Sequence, residues 1–600
     1  MANRVSLLRG GFLIGAMAMV YQMSIKKEWS VLSPDPQKVS DLSSALGCHP
    51  AVARAIINRG ISTAEQAALF LKPSLARIRS PFSMKDMDRA VGRILLALER
   101  GEKVAVFGDY DADGITSTAI LFGFLIELGM DVTYHIPNRL TEGYGLKPDY
   151  VKNHAIPGGV RLIITVDCGI SSHEGVSAAR NAGIDVIITD HHEIPPVLPE
   201  AFAILNPKQP DCPSGFTWLA GVGVAFHLLL ALRKRLRDEH FWSSKGKPEP
   251  NLKSACDLVA LGTVADMVPL VEENRVYVKT GLKVLAAAAR PGIRALLDVC
   301  NITEGPLNTY DLAFRLAPRL NVSGRLSDGS LALELLTTSE AETAHAIAKE
   351  LDRENERRQQ LEAKILSDIF AHLDNNPQLL EKRSLVLDRE GWHEGVIGIV
   401  ASRLVRRYMR PVVIITTSNG IGKGSARTPE GLDLFNALKE CADSLQEFGG
   451  HKTAAGLSLK AENIPVFKRD FERVVCENTP AEGLVPKLTI DGEISPGEIT
   501  PKLTDELEQL APFGEANPEP LFLLSDLDVL SSRKVGNSHT QMRLRPSGKV
   551  QATPLDAILF NSDVNAMQAN RFDRIACHVR WNRWKNRKKI QLVVRDFVIG

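Results

Sequence analysis

In the stretch "VAVFGDYDADGIT", Val104 to Thr116, a short apolar run rich in β-branched residues stops at a glycine. Three aspartates follow on alternate positions, Asp109, Asp111 and Asp113, then Gly114, and Thr116 to Leu128 carries a helical pattern. A strand that leads through an acidic turn into a helix is the repeating unit of an α/β fold. The unit recurs: "VTYHIP" (132–137), "RLIITVD" (161–167) and "IDVIITDHH" (184–192) are β-branched runs, each followed by a polar turn and a helix-like stretch. This alternation predicts a parallel, doubly wound sheet, whose chemistry gathers at the carboxyl ends of the strands.

Those ends carry metal-binding residue types. The first run delivers the three aspartates, the next Asp167, the next Asp190, His191 and His192, and a later apolar run, "LGTVADMVPL", delivers Asp266. The spacing D-x-D-x-D-G also opens a calcium loop, but with Asp109 as first position the twelfth is Ile120, where calcium needs a bidentate Glu. The flanking strand excludes it as well. Carboxylates mixed with imidazole suit Mn²⁺ or Mg²⁺, and several carboxylates can hold two ions that together clamp a phosphoryl transfer. A single aspartate after a strand is ordinarily a helix N-cap and a single histidine a core residue; consecutive strand ends that all carry such groups predict a catalytic metal site.

The chain of 600 residues is too long for one core, so several domains are expected. Lys and Arg total 72 against 71 Asp and Glu, which excludes a protein basic throughout but leaves local patches open. Eight cysteines are dispersed without a C-x-x-C pair, as fits a reducing cytoplasm without zinc ribbon or disulfide framework. Residues 1–35 read as a tail. Its basic start and the apolar stretch Phe12 to Val20 resemble a signal peptide too short to span a membrane, and Met23 is the expected true start. Residues 36–98 read as a helical region, and 336–378 as a connecting helix with Ile347, Leu351, Leu361, Ile365, Ile369 and Leu373 on one apolar stripe. A second α/β unit occupies 379–480. From 485 to 600 short strands between Gly, Pro and Asn turns, beginning with "KLTIDGEI", predict a small barrel or sandwich. Its last thirty residues hold nine Lys or Arg against two Asp, with Trp581 and Trp584 among them, a composition suited to sequence-tolerant binding of single strands.

The ordered motifs "GDYDADG", "VDCGISS" and "DHH" resemble those of the DHH phosphoesterase superfamily, and "FGGHKTAAG" (448–456) resembles the Gly- and His-containing motif of its companion DHHA1 domain. Further blocks, "PNRLTEGYGL", "LGTVADMVPL", "RLAPRLNVSGRL", "GWHEGVIGIVASRL" and "LAPFGEANPEPLF", are similar to the superfamily's branch of single-strand-specific 5′-to-3′ DNA exonucleases. The resemblance covers most of residues 36–600. It implies an α/β chain: a doubly wound parallel-sheet DHH domain (99–335) joined by a long helix to a smaller α/β DHHA1 domain, followed by a β-barrel OB-fold domain. It departs at Val322 and Ser323, where two alanines are expected, and at Ala516, where glycine is usual.

The resemblance further implies that Asp111, Asp113, Asp167, His191 and Asp266 hold two Mn²⁺ or Mg²⁺ ions with Asp167 bridging, that Asp109 and Asp190 orient ligands, and that His192 contacts the scissile phosphate. Asn321, Arg325, His393, Ser425, Arg427 and His451 are the implied DNA or phosphate contacts, joined by Trp581 and Trp584. The implied partner is single-stranded DNA, with a helicase and a single-strand-binding protein as candidate companions, no membrane, and a monomeric enzyme acting in recombination and repair. Two rivals remain at this stage. A small-substrate DHH enzyme, of nanoRNase, cyclic-dinucleotide phosphodiesterase or pyrophosphatase type, needs no C-terminal barrel. A DNA-binding scaffold without activity is expected to have lost ligands that are all present here.

Overall fold

The computed structural model describes residues 27–139, 141–302, 305–326, 329–480, 483–536, 539–560, 568–584 and 587–599. The signal-like segment and Met23 lie outside the described residues. The chain divides into two compact units. One comprises residues 68–355 with 510–519, and the other the residues before 68, 356–509 and those from 520 on.

The first unit is built on a five-stranded parallel sheet in the order Val132–His135, Lys103–Phe107, Val160–Val166, Asp185–Thr189, Ala203–Leu205. Its central strands bury both faces, as the uninterrupted apolar runs predict. Along Lys103–Phe107, Val104 and Val106 enter one core while Ala105 and Phe107 enter the other. From this strand the chain steps to the sheet edge and returns on the opposite side at Val160–Val166, so the strand order reverses between these two. Such a switch point opens a crevice outside the strand ends, and it is where Asp109 and Asp167 emerge.

The helix after the first strand, Ala112–Leu128, begins at Asp111, whose Oδ1 accepts from the backbone N–H of Asp113 (2.9 Å) and Gly114 (3.1 Å), and stops at Gly129 with φ +87°. Gly114 is required by close approach, because a Cβ there would lie 2.5 Å from the Asp109 carbonyl oxygen.

Residues 510–519 belong to this unit although the chain places them just before the barrel. Arg275, buried in the unit's interior, gives its guanidinium to the carbonyls of Phe70 (2.7 Å), Leu510 (2.9 Å), Ala511 (3.0 Å) and Pro512 (3.2 Å). Leu270 N–H donates to Glu515 O at 2.9 Å. Ala516 here adopts φ +57°, a left-handed conformation that costs a residue with a Cβ about 1 kcal/mol. Ala516→Gly is therefore expected to stabilise the protein by about 1 kcal/mol, read as an upward shift of the urea midpoint; a downward shift would mean that the methyl's contacts outweigh its backbone strain.

The second unit holds a five-stranded mixed sheet in the order Glu447–Gly450, Ala454–Lys460, Ile421–Arg427, Val412–Ser418, Leu385–Glu390, and a closed five-stranded barrel in the order Phe522–Val535, His539–Pro546, Leu555–Leu559, Arg587–Ile599, Arg571–Trp584. Three expectations change here. "KLTI" is not a barrel strand: Lys487–Ile490 pairs in parallel with Glu28–Val31, so part of the expected tail is ordered structure. The pairing seals Trp29 and Leu488 over Ile490, Leu521 and Leu523. The helical region 36–98 is also not one block. Pro36–Leu46 and Pro50–Ile57 stay with the second unit, where Asn58 donates to the Asp491 carboxylate at 3.0 Å, whereas Met87–Arg100 buries Ala90, Val91 and Ile94 in the first unit's core. The connecting helix runs Ala341–Asn375, with Ile347, Leu351, Ile365, Ile369 and Leu373 buried. Among the described residues no helix is long and apolar enough to cross a membrane, and all eight cysteines are free.

Candidate metal centre

Four strand or helix ends converge above the switch point. Donor atoms of Asp109, Asp111 and Asp167 lie within 4.8 Å of one another, as do those of Asp113, His191 and Asp266, and those of Asp167, His191 and His192. The sets overlap at Asp167 and His191. His191 Nε2 stands 3.2 Å from Asp167 Oδ1, 3.5 Å from Asp266 Oδ2 and 3.9 Å from Asp113 Oδ2.

The surrounding backbone fixes these groups. Asp113 accepts from Gly221 N–H (2.7 Å) and Val222 N–H (2.9 Å), the first amides of the helix Gly221–Asp238, whose positive end suits a carboxylate. A Cβ at Gly221 would overlap the Asp167 carboxylate, so only glycine lets that helix start so close. Asp167 has φ +62° and Met267, directly after Asp266, has φ +58°. Left-handed non-glycine residues of this kind concentrate where a site dictates the backbone.

Asp190 accepts four hydrogen bonds. Its Oδ1 accepts from His191 N–H (2.7 Å), His192 N–H (3.0 Å) and His192 Nδ1 (2.7 Å), and its Oδ2 from Ile170 N–H (2.9 Å). It holds the backbone of both histidines and the His192 ring in place. Tyr144 completes the group, its hydroxyl 3.2 Å from His192 Nδ1 and 3.4 Å from Asp167 O.

Electrostatics show what the cluster lacks. Burial, then the charge of Asp111, lifts Asp109 well above the usual carboxylate range, and burial, then Asp113, does the same to Asp167. Burial followed by Asp111 pushes Asp113 up to about 7, and burial followed by Asp113 pushes Asp266 up to about 8. Burial opposes the charge on His192, but the hydrogen bond and charge of Asp190 outweigh it and raise it to about 9. Burial, with repulsion from His192, takes His191 down to about 3, which keeps its imidazole neutral and able to donate a lone pair. Three buried atoms of the cluster, Asp109 Oδ1, Asp167 Oδ1 and His191 Nε2, have no hydrogen-bond partner among the described residues. Crowded acids and orphaned lone pairs beside a neutral imidazole fit divalent cations of the Mn²⁺ or Mg²⁺ class.

The remaining expected residues fall into two groups. Asn321 is in the same unit, and its Oδ1 accepts from Ala112 N–H at 2.7 Å, so the amide braces the acidic loop itself. Arg325 follows on the short helix Ser323–Leu326. The two departures nearby are absorbed internally: Val322 is buried, and the Ser323 hydroxyl donates to Leu320 O at 2.7 Å.

In the second unit, Ser425 and Arg427 share one strand. Arg427 Nη1 donates to Ser425 Oγ at 3.1 Å. The register sets Arg427 opposite Ala454, whose carbonyl accepts from His451 N–H at 2.8 Å, so one sheet end carries all three. Gly398 lies against Ser425 and Arg427 on the helix Glu394–Tyr408, and His393 caps that helix by accepting from Gly395 N–H at 3.1 Å. On the barrel, Trp581 is engaged within the protein: its Nε1 donates to Asp505 at 2.8 Å, and Lys588 lies 4.0 Å over its ring. The Trp584 side chain lies outside the described residues.

Sequence reasoning missed the brace from Gly221 and Val222, the Tyr144 contact and the seat of 510–519. The glycine pair in "LAGVGVAF" was a visible signal for the first, since glycines that open a helix mark a close approach.

Comparison with known proteins places these features in a family. Models of the DHH family N-terminal domain, the DHHA1 domain and the RecJ OB domain match residues 103–263, 381–477 and 490–596. The single-stranded-DNA-specific exonuclease RecJ of Bacillus subtilis is 38% identical over 96% of this chain and 72% of its own, and that of Escherichia coli is 37% identical over 95% and 99%. The crystal structure of Thermus thermophilus RecJ with Mn²⁺ superposes with a TM-score of 0.80 at 32% identity, covering 96% of this chain and 80% of the other. Its Mg²⁺ complex gives 0.74 at 31% identity, covering 96% and 78%.

Proposed function

The chain belongs to the RecJ family of single-stranded-DNA-specific exonucleases, and from that membership we propose that it digests single strands from the 5′ end, releasing 5′-mononucleotides, with Asp167 shared between two divalent ions. The observation that carries the reading is the overlap of donor sets at Asp167 and His191. Asp111, Asp113, Asp167, His191 and Asp266 are the proposed ligands. When bound, the ions supply acidity to water and counter-charge to the phosphate.

The chain's own groups do the rest. Burial keeps His191 a neutral ligand, while Asp190 holds its backbone N–H and fixes the His192 ring through Nδ1, so that Nε2 is the nitrogen left to meet an oxygen of the scissile phosphate. Asp109 stays beside Asp111 and Asp167 as a positioning residue. Asn321 keeps the 109–113 loop from shifting when charge enters. In the second unit Ser425, Arg427 and His451 present a hydroxyl, a guanidinium and an imidazole from one sheet end, a donor set suited to phosphate. Arg325 and His393 complete the proposed DNA contacts. A helicase and a single-strand-binding protein are the proposed companions of a monomeric, cytoplasmic repair enzyme.

The test uses Mn²⁺ with 5′-labelled and 3′-labelled single strands beside a blunt duplex. Immediate release of labelled mononucleotide from the 5′-labelled single strand alone is the expected result. Early release from the 3′ label would reverse the polarity, and digestion of dinucleotides with survival of long strands would assign the site to small substrates.

A further inference from the structure

Tyr310 and Phe314 are 63% and 61% exposed, and their ring centroids lie 4.9 Å apart at 38°. Among the described residues no other aromatic pair in ring contact has both members so exposed. Large apolar rings left in water forfeit the burial that stabilises them elsewhere, so an exposed pair on a rigid support asks for a ligand.

The support is rigid. Asn308 and Asp311 form a reciprocal cap, with both hydrogen bonds at 3.2 Å. Thr309 Oγ1 donates to Phe513 O at 2.6 Å, and Leu312, Leu316, Ala317 and Leu320 bury the opposite face. Leu312–Leu316 is a π-helical turn, a form frequent at functional sites. It keeps Tyr310 and Phe314, four residues apart, on one side of the run.

That run leads to the metal centre. It continues through Ala317–Asn321, and Asn321 holds the acidic loop through Ala112 N–H. At the helical rise, Phe314 and Tyr310 precede Asn321 by roughly 10 and 16 Å along the axis, a few nucleotides of a strand. Arg315 is paired with Asp311 at 3.0 Å and Arg319 with Asp352 at 2.7 Å, so what the run offers a strand is its two rings rather than its charge.

We propose that Tyr310 and Phe314 form a base-stacking platform of the catalytic unit, on which nucleobases of single-stranded DNA rest a few nucleotides from the scissile phosphate. The inference rests on the reading of the chain as a single-strand exonuclease. Every base has a π-face, so such a platform adds grip without sequence preference. It also makes grip depend on strand length, because a dinucleotide or trinucleotide cannot reach from the metals to the rings.

The experiment compares wild type with Tyr310→Ala/Phe314→Ala and Tyr310→Phe/Phe314→Tyr, in Mn²⁺, on oligothymidylate of about twenty nucleotides and on trinucleotides, with KM and kcat measured separately. The alanine variant is expected to raise KM on the long strand by roughly tenfold or more, to leave kcat and the trinucleotide unchanged, and to be rescued by the aromatic swap. A long strand carrying abasic sites throughout its interior should erase the difference between the proteins. An unchanged KM on the long strand, or an equal loss on both lengths, would overturn the platform, as would a loss undiminished on the abasic strand. If wild type fails to digest single strands at all, the exonuclease reading itself falls, a result distinct from a failure of the variant alone.

Discussion

Asp167→Asn is expected to lower Mn²⁺-dependent digestion of single-stranded DNA by roughly a thousandfold or more, with the fold unchanged. The expectation follows from position. Asp167 is the one carboxylate common to the set with Asp109 and Asp111 and the set with His191 and His192, so its loss disturbs both ion positions. Asparagine is the informative replacement because residue 167 has φ +62°, which asparagine tolerates better than alanine. An alanine variant would mix lost ligation with backbone strain. Calorimetric titration should show weakened Mn²⁺ binding at both positions, where a residue serving one ion would weaken only one. By contrast, Asp190→Asn should cost roughly ten- to a hundredfold, because it loosens the histidines without removing a ligand. Retention by Asp167→Asn of more than about a tenth of wild-type activity would remove it from the shared position.

The contrast between Asp167 and Asp190 also shows what a sequence can disclose. Apolar, β-branched runs that end in acids made the parallel sheet and the donor residues legible, because both are local properties of a strand and the turn after it. The order of the strands, which brings Asp109 beside Asp167, follows from the crossover rules only once the edge position of Val132–His135 is known. Long-range pairing leaves no local trace. Glu28–Val31 finds Lys487–Ile490 through backbone hydrogen bonds that any strand could offer, and "LAPFGEANPE" is held in the first unit by Arg275, Leu270 and Thr309, each about two hundred residues or more upstream. Trp581 was legible as an aromatic among cations, but not as a ring already engaged by Asp505 and Lys588. The exposed pair Tyr310 and Phe314 is the converse case. Four-residue spacing in a helical run does not tell a buried face from an exposed one, and only exposure reveals that these rings face water.

The crowding of acids gives metal removal a predictable dependence on pH. In protein stripped by chelator, Asp113 and Asp266 hold protons up to about 7 and about 8, and burial and neighbouring carboxylates lift Asp109 and Asp167 well above the usual carboxylate range, whereas in the unfolded chain all four are ionised above about pH 4. The folded state therefore binds more protons than the unfolded one, and stability must fall as pH rises. Below about pH 6.5 the fall is opposed by the buried neutral imidazoles of His191 and His227, depressed to about 3 and about 4, since acid charges them only after unfolding. Between about pH 6.5 and 8 that opposition is gone, and His192, raised to about 9, adds to the decline. Each proton so held contributes a slope on the order of 1 kcal/mol per pH unit. The melting temperature of the chelated protein should thus drop across this window, and the stabilisation by a fixed concentration of Mn²⁺ should grow, because the ions replace protons that neutral pH is already removing. A chelated protein that melts higher at about pH 8 than at about pH 6.5, or a Mn²⁺ shift that is flat with pH, would show that the cluster is not the proton-linked site its geometry describes. Asp167→Asn should flatten both trends together, since it removes one of the four acids and a ligand in the same substitution.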